Sequence, residues 1–272
     1  MTAEEYLKRG DEHFAQDDYE KAIKNYSKAI KLDPDYKEAY CARGSLYYEQ
    51  GDYGKAIADY AKAYRLDPDD SNARRNLAFS YIAQGDTYFK QGDYDEAIAD
   101  YTRAIETEPK YATFYSGRGH TYEILHDYSM AIADYDKAIQ LDSKCAVYYN
   151  NRASAYNGLR RYNDAIADSD MAIKLDPNFA NPYNHRGFAY YKKGQYSLAV
   201  ADFKKALEIN PEYDKAKENL YFALKEQSAQ KPKERINSNE LLKSQLKSGS
   251  PKVSASMCTQ MQPFDGCAAK NP

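Results

Sequence analysis

Residues 37–70 read KEAYCARGSLYYEQGDYGKAIADYAKAYRLDPDD, and this stretch decides the fold. It closes on Leu66-Asp67-Pro68, and the same turn signal stands 34 residues earlier at Leu32-Asp33-Pro34. The signal returns at Leu175-Asp176-Pro177, with variants at Thr107-Glu108-Pro109, Leu141-Asp142-Ser143 and Ile209-Asn210-Pro211. Setting that proline (or Ser143) at position 32 frames six repeats: 3–36, 37–70, 78–111, 112–145, 146–179 and 180–213. Position 4 is tyrosine throughout, from Tyr6 to Tyr183, and so is position 17, from Tyr19 to Tyr196. Positions 20 and 27 are always alanine, and position 8 is Gly10, Gly44, Gly85, Gly119, Ala153 and Gly187.

The spacing has a direct physical meaning. Positions 4, 8 and 11 fall on one helical face, and so do 20, 24 and 27. Between them lies a turn such as Gly51-Asp52-Tyr53, where glycine ends a helix in the left-handed region. Small residues at 8 and 20 let two helices approach closely while tyrosine rings fill the space between them. Proline at 32 stops the second helix and turns the chain into the next hairpin. One such hairpin has too little apolar face to be stable alone, so neighbours must stack to supply a continuous core.

These residues resemble the tetratricopeptide repeats, whose period is about 34 residues. The resemblance covers residues 3 to about 228. Tyrosine replaces the family's tryptophan at position 4, and arginine usually replaces leucine at position 7. It implies an all-α fold, a right-handed superhelical solenoid of antiparallel helix hairpins. The arginines at position 7 (Arg9, Arg43, Arg118, Arg152, Arg186) face aspartates at position 23 (Asp59, Asp100, Asp134, Asp168, Asp202) on the other helix. We expect a ladder of structural ion pairs; a basic stripe for an acidic ligand is the alternative.

The resemblance also implies a concave groove lined by positions 2, 5, 6, 9, 12 and 13 of the first helix. Carried onto this chain, those positions give candidate peptide-binding residues His120, Asn150, Asn151, Ser154, Asn184, His185, Phe188 and Tyr191. Asparagine both donates to and accepts from a peptide backbone, which suits sequence-tolerant recognition. These positions are read as carrying no folding duty. The carboxylate clamp of chaperone-binding relatives needs Lys, Asn and Arg at set positions. Of the residues on repeats four to six, Ser116, His120, Asn151, Asn181 and His185, Asn151 alone matches, so a co-chaperone is not expected.

The frame slips by seven residues after Asp70. Ser71–Tyr81 reads as the start of one helix, yet Tyr81 and Gly85 also serve the third repeat. Seven residues are close to two turns, so the apolar face realigns, and the sequence predicts one long helix over 71–91. The expected organisation is two hairpins over 1–70, then the long helix, four hairpins (78–213) and a capping helix over 71–228. Residues 229–272 lose the period and carry seven basic and three acidic side chains, a basic tail expected to be disordered; the sharper alternative is that it docks on its own acidic body or on a second copy.

Composition narrows the function classes. Across 272 residues the formal net charge is −3, which gives no general pull toward nucleic acid or anionic lipid. No apolar run is long enough to span a membrane, and the acidic, polar start has no secretory character, so the expected address is cytoplasmic. The four cysteines lack C-x-x-C spacing, against a zinc site or a disulfide framework. The four histidines have no i,i+4 partner, and no phosphate loop or H-E-x-x-H motif occurs, so an enzyme, a metal or a cofactor is not expected. The reading is a scaffold or adaptor that binds peptide segments of a protein partner. Its competitor is a module that self-associates through the stack ends or the tail.

Overall fold

The computed structural model describes residues 1–230, and the sequence readings on the tail beyond fall outside that range. The described residues form thirteen α-helices with no strand. In chain order they are α1 (Ala3–Phe14), α2 (Tyr19–Leu32), α3 (Lys37–Glu49), α4 (Tyr53–Leu66), α5 (Ser71–Gln91), α6 (Tyr94–Thr107) and α7 (Ala112–Ile124). There follow α8 (Tyr128–Leu141), α9 (Ala146–Gly158), α10 (Tyr162–Leu175), α11 (Ala180–Lys192), α12 (Tyr196–Ile209) and α13 (Asp214–Gln230). None is long and apolar enough to cross a membrane. The chain divides into two compact bodies, Met1–Thr121 and Tyr122 onward, and the division passes through α7.

Local chemistry sets the helix ends. In three of the hairpins an aspartate at position 16 caps the second helix: Asp18, Asp52 and Asp127 accept from the backbone N–H of Lys21, Lys55 and Met130. The residue before the cap is left-handed, as Gly51, Gly92 and Gly194, but also as Asp17, His126 and Arg160. Each non-glycine there costs about 1 kcal/mol or more. Where two registers overlap, α5 runs unbroken for 21 residues against 13 in α3, roughly 12 Å more of helix. Asp70 caps its start through the N–H groups of Asn72 and Ala73.

Packing within each hairpin turns on positions 8 and 24. In the N-terminal body the rings of Tyr26, Tyr60 and Tyr101 lie against Gly10, Gly44 and Gly85. A Cβ built on Gly85 would stand 2.9 Å from Cε1 of Tyr101, closer than packed carbons come. In the C-terminal body Phe203 lies against Gly187 in the same way. Repeat five carries the one alanine at position 8, Ala153, and it also carries the one non-aromatic residue at position 24, Ser169. A small residue on one helix and a ring on the other thus change together, as close packing requires. The ring hydroxyls are satisfied across the hairpin: Tyr26 donates to Asp11 (2.9 Å), Tyr101 to Asp86 (2.6 Å) and Tyr135 to Glu123 (2.9 Å).

Three of the five position-7 arginines make the expected structural ion pairs, while Arg118 is seen bonding Thr102 and Arg9 contacts the Met1 sulfur. Arg43, Arg152 and Arg186 each make a two-pronged pair with Asp59, Asp168 and Asp202, at 2.6–2.8 Å. The remaining prong of each reaches back to the preceding hairpin, to Ser27, Asp136 and Asp170. One guanidinium therefore ties its own hairpin shut and fastens it to its neighbour. Cys41 is a free thiol whose pKa burial pushes up to about 11.

Candidate functional site

The candidate groove residues of the C-terminal body sit on α9 and α11, which pack on each other, with α13 beside α11. Asn150 and Asn184 are almost wholly buried, at 2% and 4% exposed. This corrects the expectation that asparagines here carry no folding duty. The Nδ2 of Asn184 donates to the Tyr213 hydroxyl (3.3 Å), and its Oδ1 accepts from Asn219 on α13 (2.8 Å). Asn184 therefore holds the terminal helix in place. The reason is geometric: position 5 points toward the next helix of the stack, where an exposed amide is unavailable but a buried one can bridge.

Asn150 is used differently. Its Nδ2 donates to Oδ1 of Asn151 (3.0 Å), while its own Oδ1 has no hydrogen-bond partner within the protein. Asn157, seven residues further along α9, repeats the pattern. It donates to the backbone carbonyl of His185 (3.0 Å) and leaves its Oδ1 unmatched at 8% exposure. Asn151, Ser154, His185, Phe188 and Tyr191 are half-buried. Phe188 and Tyr191 pack on the core formed by Ala199, Val200, Phe203 and Ala223, with Lys192 over both rings.

The electrostatics of this face are muted. Burial lowers the His185 pKa to about 4, so the ring is neutral at physiological pH. Glu123, at the end of α7, is pushed up to about 7 by burial, against the opposing hydrogen bonds from Ser154 and Tyr135. His120 belongs to the N-terminal body, where it packs at 5.1 Å against Phe89 at 6% exposure, and burial holds its pKa near 4. It is not brought together with the α9 and α11 residues in one body.

Sequence reasoning missed Asn219 and Tyr213. Both lie beyond the groove positions, and the signal for Asn219 is its place between the buried Ala216 and Ala223 on one face of α13.

Models of the TPR repeat match residues 10–51, 44–85, 85–125 and 160–194, and a tetratricopeptide repeat model matches 112–145 and 180–213. The chain is a tetratricopeptide-repeat protein. The last two ranges coincide with repeats four and six of the sequence frame. Similar solved structures include YrrB, described as a TPR protein with an unusual peptide-binding site, at 20% identity and a TM-score of 0.58. That match covers 74% of this chain and 97% of YrrB. MamA is another, at 26% identity and a TM-score of 0.52, covering 66% of this TPR chain and 94% of MamA. At these identities the likeness is one of fold. Comparison with curated proteins gives no significant match.

Proposed function

We propose that this TPR protein is a non-enzymatic scaffold whose C-terminal body holds an extended peptide segment of a partner along α9 and α11. The observation that carries the reading is the pair of buried, unmatched carbonyl oxygens on α9, Oδ1 of Asn150 and Oδ1 of Asn157. A buried acceptor left unsatisfied costs about 1–3 kcal/mol, which a donor from a ligand recovers. Seven residues of helix separate the two by about 10 Å. In a peptide of polyproline II conformation, with about three residues per turn and a rise of about 3.1 Å, N–H groups three residues apart point the same way and lie about 9 Å apart. A peptide in that conformation reaches both acceptors once the side chains that cover them move aside, since both oxygens are closed off in the free protein. The half-buried Asn151, Ser154, Phe188 and Tyr191 supply further polar and aromatic contacts. A peptide-binding site is described for YrrB, which has the same fold.

The test is selection of binders from a random-peptide display library on the full chain, then calorimetry with wild type and with Asn150→Ala, Asn151→Ala. Loss of two hydrogen bonds of about 1 kcal/mol each predicts roughly thirty-fold weaker binding by a folded variant. Equal affinity for both proteins, or no peptide recovered by the wild type, overturns the assignment.

A further inference from the structure

Along the edge formed by the turns inside each hairpin, the two bodies carry opposite chemistry. Position 14 is Gln16, Gln50 and Gln91 in the N-terminal body but Leu125, Leu159 and Lys193 in the C-terminal one. Leu125 and Leu159 are 44% and 40% exposed and lie on loop tips. The residue after each, His126 and Arg160, takes the left-handed conformation that glycine holds in three other hairpins. Asp17 carries the same backbone strain in the N-terminal body, so it is the exposed leucines that set these two turns apart.

Cations gather at the same place. Arg160, Arg161 and Lys193 line a cleft of about 320 Å³ with Tyr162, Asn163 and Asp164. Arg161 is held by Asp164 at 2.8 Å and lies over the Tyr156 ring, Lys193 donates to Asn163, and Arg160, Lys192 and Lys193 are exposed and outnumber the exposed Asp127 of this edge. The matching edge of the N-terminal body is acidic. Asp17, Glu49, Asp93, Asp95 and Glu96 are exposed there; of the lysines, Lys21 and Lys55 are bound to Asp18 and Asp52, and Lys90 is an exposed cation among the five acids. That edge also exposes aromatic surface, Phe14 at 40% and Tyr48 at 37%.

We propose that the basic, leucine-tipped turn edge of the C-terminal body docks on the acidic, aromatic turn edge of the N-terminal body of a second copy, head to tail. The charges are complementary and both edges offer apolar side chains to bury, which is the composition of a polar-rimmed interface. The contact joins unlike edges, so two copies associate through one such contact or through two reciprocal ones. It uses neither the groove nor the tail.

Sedimentation velocity on the full chain reads the proposal. The wild type should sediment faster as concentration rises at low salt, and return to monomer in roughly 1 M salt, where the Debye length is about 3 Å. Arg160→Glu with Lys193→Glu, and separately Glu49→Lys with Glu96→Lys, should each weaken self-association at least tenfold. All four side chains are exposed, so circular dichroism should match the wild type. Mixing the two variants should restore a complex, because each retains the edge the other has lost. A wild type that stays monomeric at every concentration overturns the proposal, as does association that survives charge reversal, or variants that do not combine. Asn150→Ala with Asn151→Ala should associate like the wild type, which separates this surface from the groove.

Discussion

Replacing Gly85 by alanine tests the packing rule that shapes every hairpin. The new Cβ would stand 2.9 Å from Cε1 and 3.0 Å from Cδ1 of Tyr101, and 3.3 Å from the carbonyl oxygen of Ala97. The ring cannot swing aside cheaply, since Tyr101 is 2% exposed and its hydroxyl is anchored to Asp86. Overpacking of this kind costs about 1–3 kcal/mol, while alanine in a helix interior gains about 1 kcal/mol over glycine. In the native background the net effect is about 0–2 kcal/mol of destabilisation. With Tyr101→Ser already in place the clash is gone, and Gly85→Ala should stabilise by about 1 kcal/mol. The two sites are therefore coupled by about 1–3 kcal/mol, and the double variant recreates the Ala153 and Ser169 pairing of repeat five. A double-mutant cycle by urea unfolding measures this directly. If Gly85→Ala has the same effect in both backgrounds within about 0.5 kcal/mol, the complementarity argument is wrong.

Three further outcomes follow from the structure. Arg152→Met leaves Asp168 buried without its cation and should cost about 3–5 kcal/mol in urea unfolding, whereas Arg9→Met, on an arginine with no acidic partner among the described residues, should change stability by under about 0.5 kcal/mol. Glu123 has a folded pKa raised to about 7 from an ordinary 4.5, so its contribution is favourable below about pH 4.5 and is lost as pH rises through 7. Glu123→Gln should therefore be more stable than wild type at pH 8 and close to it at pH 5 in thermal unfolding. Asn184→Ala strands the amide of Asn219 and should speed hydrogen exchange along α13, with a cost of about 1–3 kcal/mol. Unchanged exchange there would mean that the asparagine bridge does not hold the helix.

Much of the fold was legible because each recurring residue answers to one local requirement. Tyrosine, glycine and alanine at fixed positions announced two faces that pack on each other, and the overlapping registers around Tyr81 announced the long α5. The Arg–Asp ladder was readable because both members recur together, sixteen residues apart. The site was less legible. A groove position is defined by its place in the repeat, but whether its side chain reaches outward depends on the helix stacked beside it. Asn151 and Asn184 look alike in the sequence, yet Asn184 is consumed by Asn219 thirty-five residues away, a pairing no periodicity encodes. The unmatched oxygens of Asn150 and Asn157 are equally invisible before the neighbours that fail to meet them are placed.

The central claim is that the α9 face receives a peptide backbone, and side-chain amide resonances report on it most directly. On titrating the isotope-labelled chain with a selected peptide, the amide signals of Asn150, Asn151 and Asn157 should move together and saturate at one affinity. Shifts confined to the hairpin turns or to the N-terminal body, with these three signals unmoved, would contradict the account.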